Sequence, residues 1–269
     1  TYLGMRHLRN GNDMDTILEN REVGPALQKK MIEGTARVRL SNGINIAGFF
    51  VNSQVIVTAD HCFSTGDLVQ SLDVKTLRYS ADRQDSIDRI WTSNDAGNNH
   101  PVVVRDRLSD VATIVFPNAI PGIDDSRIFR IASTVKKDAI EAVLCGHPFG
   151  KSWITSVGEL QGTYNRHGRN NLWGYKYLCP SEPGNSGGPI ADKDGIVHGM
   201  LIAGRFRQLN KIAFGTPIFV GYLTPMVKQG HEMIRQRSRQ HGRNSERQEH
   251  CFMDVQPSNK VLRCITPNP

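Results

Sequence analysis

Pro183-Gly184-Asn185-Ser186-Gly187-Gly188-Pro189 is the stretch on which the reading of this chain turns. One serine stands in a glycine-rich turn between a strand-like run, Leu172 to Cys179, and the hairpin signal Asp194-Gly195. Glycines let successive backbone N–H groups point into one concavity, a nest that binds an anion. Beside a serine hydroxyl that anion would be the oxyanion of a tetrahedral acyl intermediate. A glycine-rich turn alone is ordinary punctuation. The chemistry also requires a base and an acid, because a serine hydroxyl attacks poorly until an imidazole takes its proton and a carboxylate orients that imidazole.

Of the nine histidines, His61 is singled out by its setting. It ends Val55-Ile56-Val57-Thr58-Ala59-Asp60-His61-Cys62, an apolar strand that would hold an imidazole rigidly at its mouth. The acid is read as Asp110, in Leu108-Ser109-Asp110-Val111-Ala112-Thr113-Ile114-Val115, where a charge enters an apolar strand and needs a partner.

Working outward, the chain from Ala36 onward reads as many short strands rich in β-branched residues. These are Ala36–Leu40, Ile44–Val51, Gln54–Ala59, Ser86–Thr92, Pro101–Val104, Val111–Phe116, Glu141–Gly146, Ile154–Tyr164, Leu172–Cys179, Ile196–Ile202 and Lys211–Phe219. Asn42-Gly43 and Asp194-Gly195 are hairpin turns, since both dipeptides accept positive φ at low cost. No amphipathic helices intervene, which predicts an all-β fold of antiparallel barrels or a sandwich. Before Ala36, the residues Ile17, Leu18, Val23, Leu27, Met31 and Ile32 predict one or two short helices in an N-terminal extension, 1–35. After Tyr222, Thr224 would cap a helix with Pro225 at its first position. The polar stretch Gln236 to Glu249 is read as mobile.

The three motifs resemble those of the chymotrypsin/trypsin-like serine endopeptidases. Thr58-Ala59-Asp60-His61-Cys62 is similar to that family's Thr-Ala-x-His-Cys, Ser109-Asp110-Val111-Ala112 to its Asn/Ser-Asp-Ile/Val-Ala, and Gly184-Asn185-Ser186-Gly187-Gly188-Pro189 to its Gly-Asp-Ser-Gly-Gly-Pro. The order His, Asp, Ser is the one that fold uses. The resemblance covers roughly Ala36 to Lys228. It implies two antiparallel six-stranded β-barrels, the chymotrypsin-like fold, with a C-terminal helix. The protease domain would span 36–227, with a His/Asp barrel over about 36–125 and a Ser barrel over about 126–223, followed by a basic helix and tail, 228–269. The implied function is hydrolysis of peptide bonds through an acyl-enzyme. His61, Asp110 and Ser186 would be the catalytic residues and the N–H groups of Gly184 and Ser186 the oxyanion hole.

Departures narrow the branch. Asn45-Ile46-Ala47-Gly48-Phe49-Phe50 has no cysteine to pair with Cys62, Asn185 stands where animal members have Asp, and the chain opens Thr1-Tyr2-Leu3. Activation by a new N-terminal ammonium is therefore not expected, and the loop sequences look closer to HtrA-like and viral 3C-like branches. A chain starting at Thr1 suits removal of a leader or excision from something longer, such as a viral polyprotein that it would help to process. The alternatives are a bacterial HtrA-like protease and a non-catalytic homologue acting as a binding module. By the same carry-over, Ile202, Ala203 and Gly204 would pair with the substrate backbone, while Pro180, Ser181, Leu201 and Ala213 line an uncharged pocket for an apolar or small residue before the scissile bond. Arg205 or Arg207 bending inward would change that preference.

Composition bounds the rest. With 269 residues and 38% hydrophobic content, the chain can bury a real core. Its apolar runs are far below the ~18 residues that span a bilayer, so no transmembrane segment is expected. From Lys228 onward, eight basic residues face four acidic ones, more than half of the net +7. Such a tail can be an electrostatic footprint for nucleic acid or anionic membrane, the less favoured of two readings. The arginines from Arg235 to Arg247 have no interleaved aromatics, which favours a solvated surface helix. The five cysteines, Cys62, Cys145, Cys179, Cys251 and Cys264, allow at most two bridges, Cys145 with Cys179 and Cys251 with Cys264 being the pairs that could meet. No Cys-x-x-Cys pair is present, so zinc on Cys62, Cys145, His147 and Cys179 is not expected, nor any cofactor. The partner expected is a polypeptide substrate. The compartment stays open, secreted or periplasmic, or host cytoplasm if viral.

Overall fold

The computed structural model describes residues 23–78, 85–94, 100–165, 173–179, 181–207 and 210–253. Two mostly antiparallel sheets carry the chain. The first holds β1 (Thr35–Leu40), β2 (Asn45–Asn52), β3 (Val55–Ala59), β4 (Val69–Thr76), β5 (Ser86–Thr92), β6 (Val102–Asp106) and β7 (Val111–Val115), in the spatial order β5-β4-β1-β2-β3-β7-β6. The second holds β8 (Arg130–Ile131), β9 (Ile140–Gly146), β10 (Ile154–Asn165), β11 (Trp173–Leu178), β12 (Pro189–Ala191), β13 (Ile196–Arg207) and β14 (Asn210–Pro217). Their order is β12-β9-β10-β11-β14-β13-β8. An additional β12–β13 pairing closes six of these strands into a barrel, to which β8 adds in parallel on β13. The expected all-β, chymotrypsin-like architecture with a C-terminal helix is present; the second sheet holds the closed six-stranded barrel, and the first is a row of seven strands with no closing pair among the described residues.

Three strands were not legible in the sequence. β8 and β12 are two and three residues long. In β4, polar Ser71 and Asp73 are buried among the apolar residues, which hides the alternation of a half-buried strand. Asp73 is tolerated there because Arg37 Nη2 and Arg89 Nε donate to its carboxylate at 2.8 and 2.9 Å.

Each sheet wraps its own core. Leu40, Phe50, Ile56, Leu72 and Ile114 fill the first, Leu144, Tyr175, Tyr177, Ile190 and Leu201 the second. Between the sheets lies a third cluster that includes Phe49, Val57 and Ala59 from one side and Cys145, Val157, Met200 and Ile202 from the other. Each large apolar side chain buried there contributes about 1.5–3 kcal/mol, so the two sheets are held together by a true core.

Helices cover this seam at both chain ends. α1 (Pro25–Gly34), with Pro25 in its first turn, inserts Met31 and Ile32 into the shared core. Of the other extension residues named from the sequence, Val23 and Leu27 are partly buried and pack against the same core, while Ile17 and Leu18 lie outside the described residues. α2 runs Val220–Met253, so it starts earlier than Thr224, and Pro225 lies inside it. The start is set by the backbone: Tyr222 N and Leu223 N donate to Phe219 O, and Thr224 Oγ1 bonds back to Val220 O rather than capping. The stretch Gln236 to Glu249, read as mobile, is helical. No helix among the described residues is long and apolar enough to cross a membrane.

Candidate active site

The register of β3 on β7 decides where His61 sits. Both strands are buried along their whole length, and Ala59 pairs with Val111. The turn after β3, Asp60-His61-Cys62, must therefore meet the residue before β7, which is Asp110. His61 N donates to Asp110 Oδ1 at 2.8 Å, and His61 Nδ1 lies 3.1 and 3.0 Å from Oδ1 and Oδ2. Asp110 is buried, whereas the His61 side chain is 43% exposed, so the imidazole is anchored on its protein side and open on the other. Asp110 adopts φ +59, a left-handed conformation that Asp tolerates better than most residues. The carboxylate against Nδ1, helped by the Cys62 side chain and opposed by burial, raises the His61 pKa to about 10.

The end of β6 braces both turns. Arg105 bonds the Asp60 carboxylate and donates from Nη2 to Phe63 O at 2.7 Å, holding the His61 turn. Asp106 Oδ1 accepts from Leu108 N at 3.0 Å and Ser109 N at 3.3 Å, capping the turn that delivers Asp110. Neither residue was singled out from sequence, although a charged pair ending an apolar strand was a usable signal.

The loop carrying Ser186 is bolted onto the first sheet. Ala47 N of β2 donates to Ser186 O at 3.0 Å, and Thr58 Oγ1 of β3 donates to Ala47 O at 2.7 Å. Gly187, at φ +86, presses so closely on Ala47 O and Thr58 Oγ1 that no side chain fits there. Thr58 lies three residues before His61, which brings loop and imidazole to one seam. Within the loop, Gly184 takes φ +99, Asn185 N donates to Glu182 O at 3.1 Å, and Gly187 N donates to Leu201 O at 2.8 Å. The N–H groups of Gly184 and Ser186 donate to no protein acceptor among the described residues. No hydrogen bond joins Ser186 Oγ to His61 among them either, as is common before a substrate is bound.

The residues read as pocket lining divide. Leu201 and Ala213 are 2% and 0% exposed and belong to the second barrel's core, and Ile202 is buried in the shared core, so none of the three presents a surface. Successive residues of β13 face opposite sides, which puts Leu201 in one core and Ile202 in the other, and the pairing also bulges here, passing from Leu201↔Gly215 to Ala203↔Phe214 with Ile202 as the extra residue. Ala203 is exposed beyond the bulge, Ser181 is partly exposed, and the Gly204 backbone pairs with Ala213. Pro180 lies outside the described residues, as do the side chains of Arg205 and Arg207. His198 Nε2 is 2.9 Å from Asp192 Oδ2, six residues earlier in the chain.

Cys62, Cys145 and Cys179 are unbridged. The pairing of Cys145 with Cys179 is not made, because the first faces the shared core and the second the barrel core. Cys264 and the Cys251 side chain lie outside the described residues. Among the described residues, no three His, Cys, Asp or Glu side chains converge as a metal site would require.

The family model for the trypsin-like peptidase domain matches residues 46–200, more than half of the chain and all three of the segments just described. The chain belongs to the trypsin-like peptidase family. No curated protein sequence matches it. Among solved structures, this trypsin-like peptidase is similar to the Rv3671c protease of M. tuberculosis in its active form, with 16% identity over 80% of this chain and 86% of that one, at a TM-score of 0.54. It is also similar to the inactive form of that protease, with 17% identity, 80% and 95% coverage and a TM-score of 0.52. The serine endoprotease from Yersinia pestis matches with 16% identity, 79% and 67% coverage and a TM-score of 0.54. These likenesses establish the fold, and the family match makes the chain a protease-class hydrolase.

Proposed function

We propose that this peptidase is a serine endopeptidase with Ser186 as nucleophile, His61 as base and then acid, and Asp110 as the group that orients the imidazole. Ser186 Oγ attacks the peptide carbonyl while His61 Nε2 takes its proton, and the C–O bond formed gives a tetrahedral intermediate. Collapse breaks the C–N bond, and His61 returns the proton to the leaving amine. Water then repeats the cycle on the acyl-enzyme. The developing oxyanion would sit against the N–H groups of Gly184 and Ser186. The single observation that carries the reading is the double contact of Asp110 with His61 Nδ1, beside a serine loop holding two uncommitted N–H groups.

Substrate would lie along the edge of β13 at Ala203 and Gly204 that pairs with no strand among the described residues, its backbone running antiparallel. Among the described residues read as pocket lining, the partly exposed Ser181 and the exposed Ala203 carry no charge, which favours an uncharged residue before the scissile bond. The test is reaction with a fluorophosphonate followed by peptide mass spectrometry. The adduct is expected on the peptide containing Ser186 and should vanish in Ser186→Ala. Absence of any adduct on the native chain, or an adduct surviving in that variant, overturns the reading.

A further inference from the structure

Asp106 caps the turn leading into Asp110 with one carboxylate oxygen, and its other oxygen is committed elsewhere. Tyr222 Oη, in the first turn of α2, donates to Asp106 Oδ2 at 2.7 Å, across 116 residues of sequence. The bond is shielded: Tyr222 is half-buried and packs on the shared core beside Phe219, 6.0 Å between ring centroids. Its surroundings are charged but settled. Asp60 is taken by Arg105, and Ser109 contributes a further hydrogen bond to Asp106, which together with Tyr222 and the two turn N–H groups holds that carboxylate below its ordinary pKa against burial. α2 is docked on the first sheet along its first half: Gly230 lies against Val115 and Val104 with no room for a Cβ, and Val227 and Ile234 cover Val55, Val102 and Val115.

We propose that Tyr222 is a positioning residue for the peptidase reaction, acting through Asp106 and the 107–109 turn on Asp110 and so on His61. The inference rests on the function proposed above. A hydrogen bond at Oδ2 fixes the Asp106 carboxylate plane, which fixes the N–H groups of Leu108 and Ser109, which in turn hold Asp110 in a left-handed conformation that its local sequence does not enforce. A C-terminal helix is thereby wired to the catalytic carboxylate, and α2 becomes part of the catalytic apparatus rather than a cover over the seam.

Tyr222→Phe keeps the ring and removes the hydroxyl. It is expected to lower kcat about tenfold with KM within about twofold, since misplacement of a catalytic group acts on the reacting geometry rather than on substrate affinity. The thermal midpoint should stay close to the parent's. Asp106→Asn keeps an acceptor for the turn N–H groups and disturbs the carboxylate that Tyr222 holds. The double variant should be no slower than the slower single, because both act through one contact. A second readout needs no turnover: in the Ser186→Ala background, NMR titration of the His61 imidazole should show a lower pKa once Tyr222→Phe is added, the facing titratable groups being Asp110 and Cys62. Multiplying losses in the double variant, an unchanged kcat, or an unmoved His61 titration overturns the proposal. If the parent fails to hydrolyse peptides but the titration still moves, the functional reading falls and the positioning role stands.

Discussion

The buried side chain of Asn185 lies against Gly146, so tightly that a Cβ on Gly146 would come 2.5 Å from Asn185 Oδ1. The residue before the proposed nucleophile is thus wedged against β9, and the glycine is what allows it. Gly146→Ala should cost about 1–3 kcal/mol of stability, the usual range for overpacking. Because Asn185 cannot retreat without moving Ser186, peptidase activity should fall well beyond that loss. Thermal melts and steady-state rates on one preparation check both, and a full-activity, fully stable variant would show the loop to be looser than the packing implies.

Removing chemical groups from the proposed triad should be far more damaging than removing neighbours. Ser186→Ala and His61→Ala are each expected to lower turnover by several powers of ten, with the double variant no worse than either single. Near-normal turnover in either single variant would refute the assignment.

The pH profile follows from the raised His61 pKa. A base must be neutral, so kcat/KM should rise with pH, its acid limb lying above the ordinary histidine value of 6.5 and toward 10. Asp110→Asn should pull that limb back toward 6.5 while cutting kcat by about 10⁴-fold. The same shift has a stability consequence of fixed sign. A group whose pKa is higher folded than unfolded stabilises fully below the unfolded value, so the His61–Asp110 contribution is present below pH 6.5 and fades as pH climbs toward 10. Denaturant midpoints at about pH 6 and about pH 10, compared between native and Asp110→Asn, measure it.

Thiol reactivity should be graded by burial. In a Cys251→Ser/Cys264→Ser background, Cys62 is expected to react first with a disulfide reagent, since it is only partly buried. Cys145 is fully buried, with its pKa pushed up to about 12, and Cys179 is also buried, so both should react only on unfolding. Two or more fast thiols in the native state would contradict this packing.

Specificity is tested with peptides differing only before the scissile bond, carrying Leu, Phe, Ala, Gln, Glu or Arg. Uncharged residues should be cleaved fastest, because an uncharged site cannot offset the desolvation of a charged side chain. Fastest cleavage after Arg or Glu would mean that a charged group reaches the pocket.

The local order along the chain was legible in the sequence. The apolar run ending at His61, the acid entering another apolar run at Asp110, the turn at Asn42-Gly43 and the glycine loop around Ser186 are patterns within a few residues, and short-range sterics and burial set them. Nothing local could say that Ala59 pairs with Val111, which is what brings His61 and Asp110 into contact across 49 residues. Nor could it say that both faces of β13 would be covered, Leu201 by the core of its own barrel and Ile202 by the core between the sheets, since that depends on which sheets pack together. Tyr222 was invisible as a site residue for the same reason: it looks like an ordinary core side chain until the fold places the Asp106 carboxylate opposite it. Side-chain type and strand periodicity are written into the sequence, but a hydrogen bond between distant residues exists only once packing has chosen which faces meet.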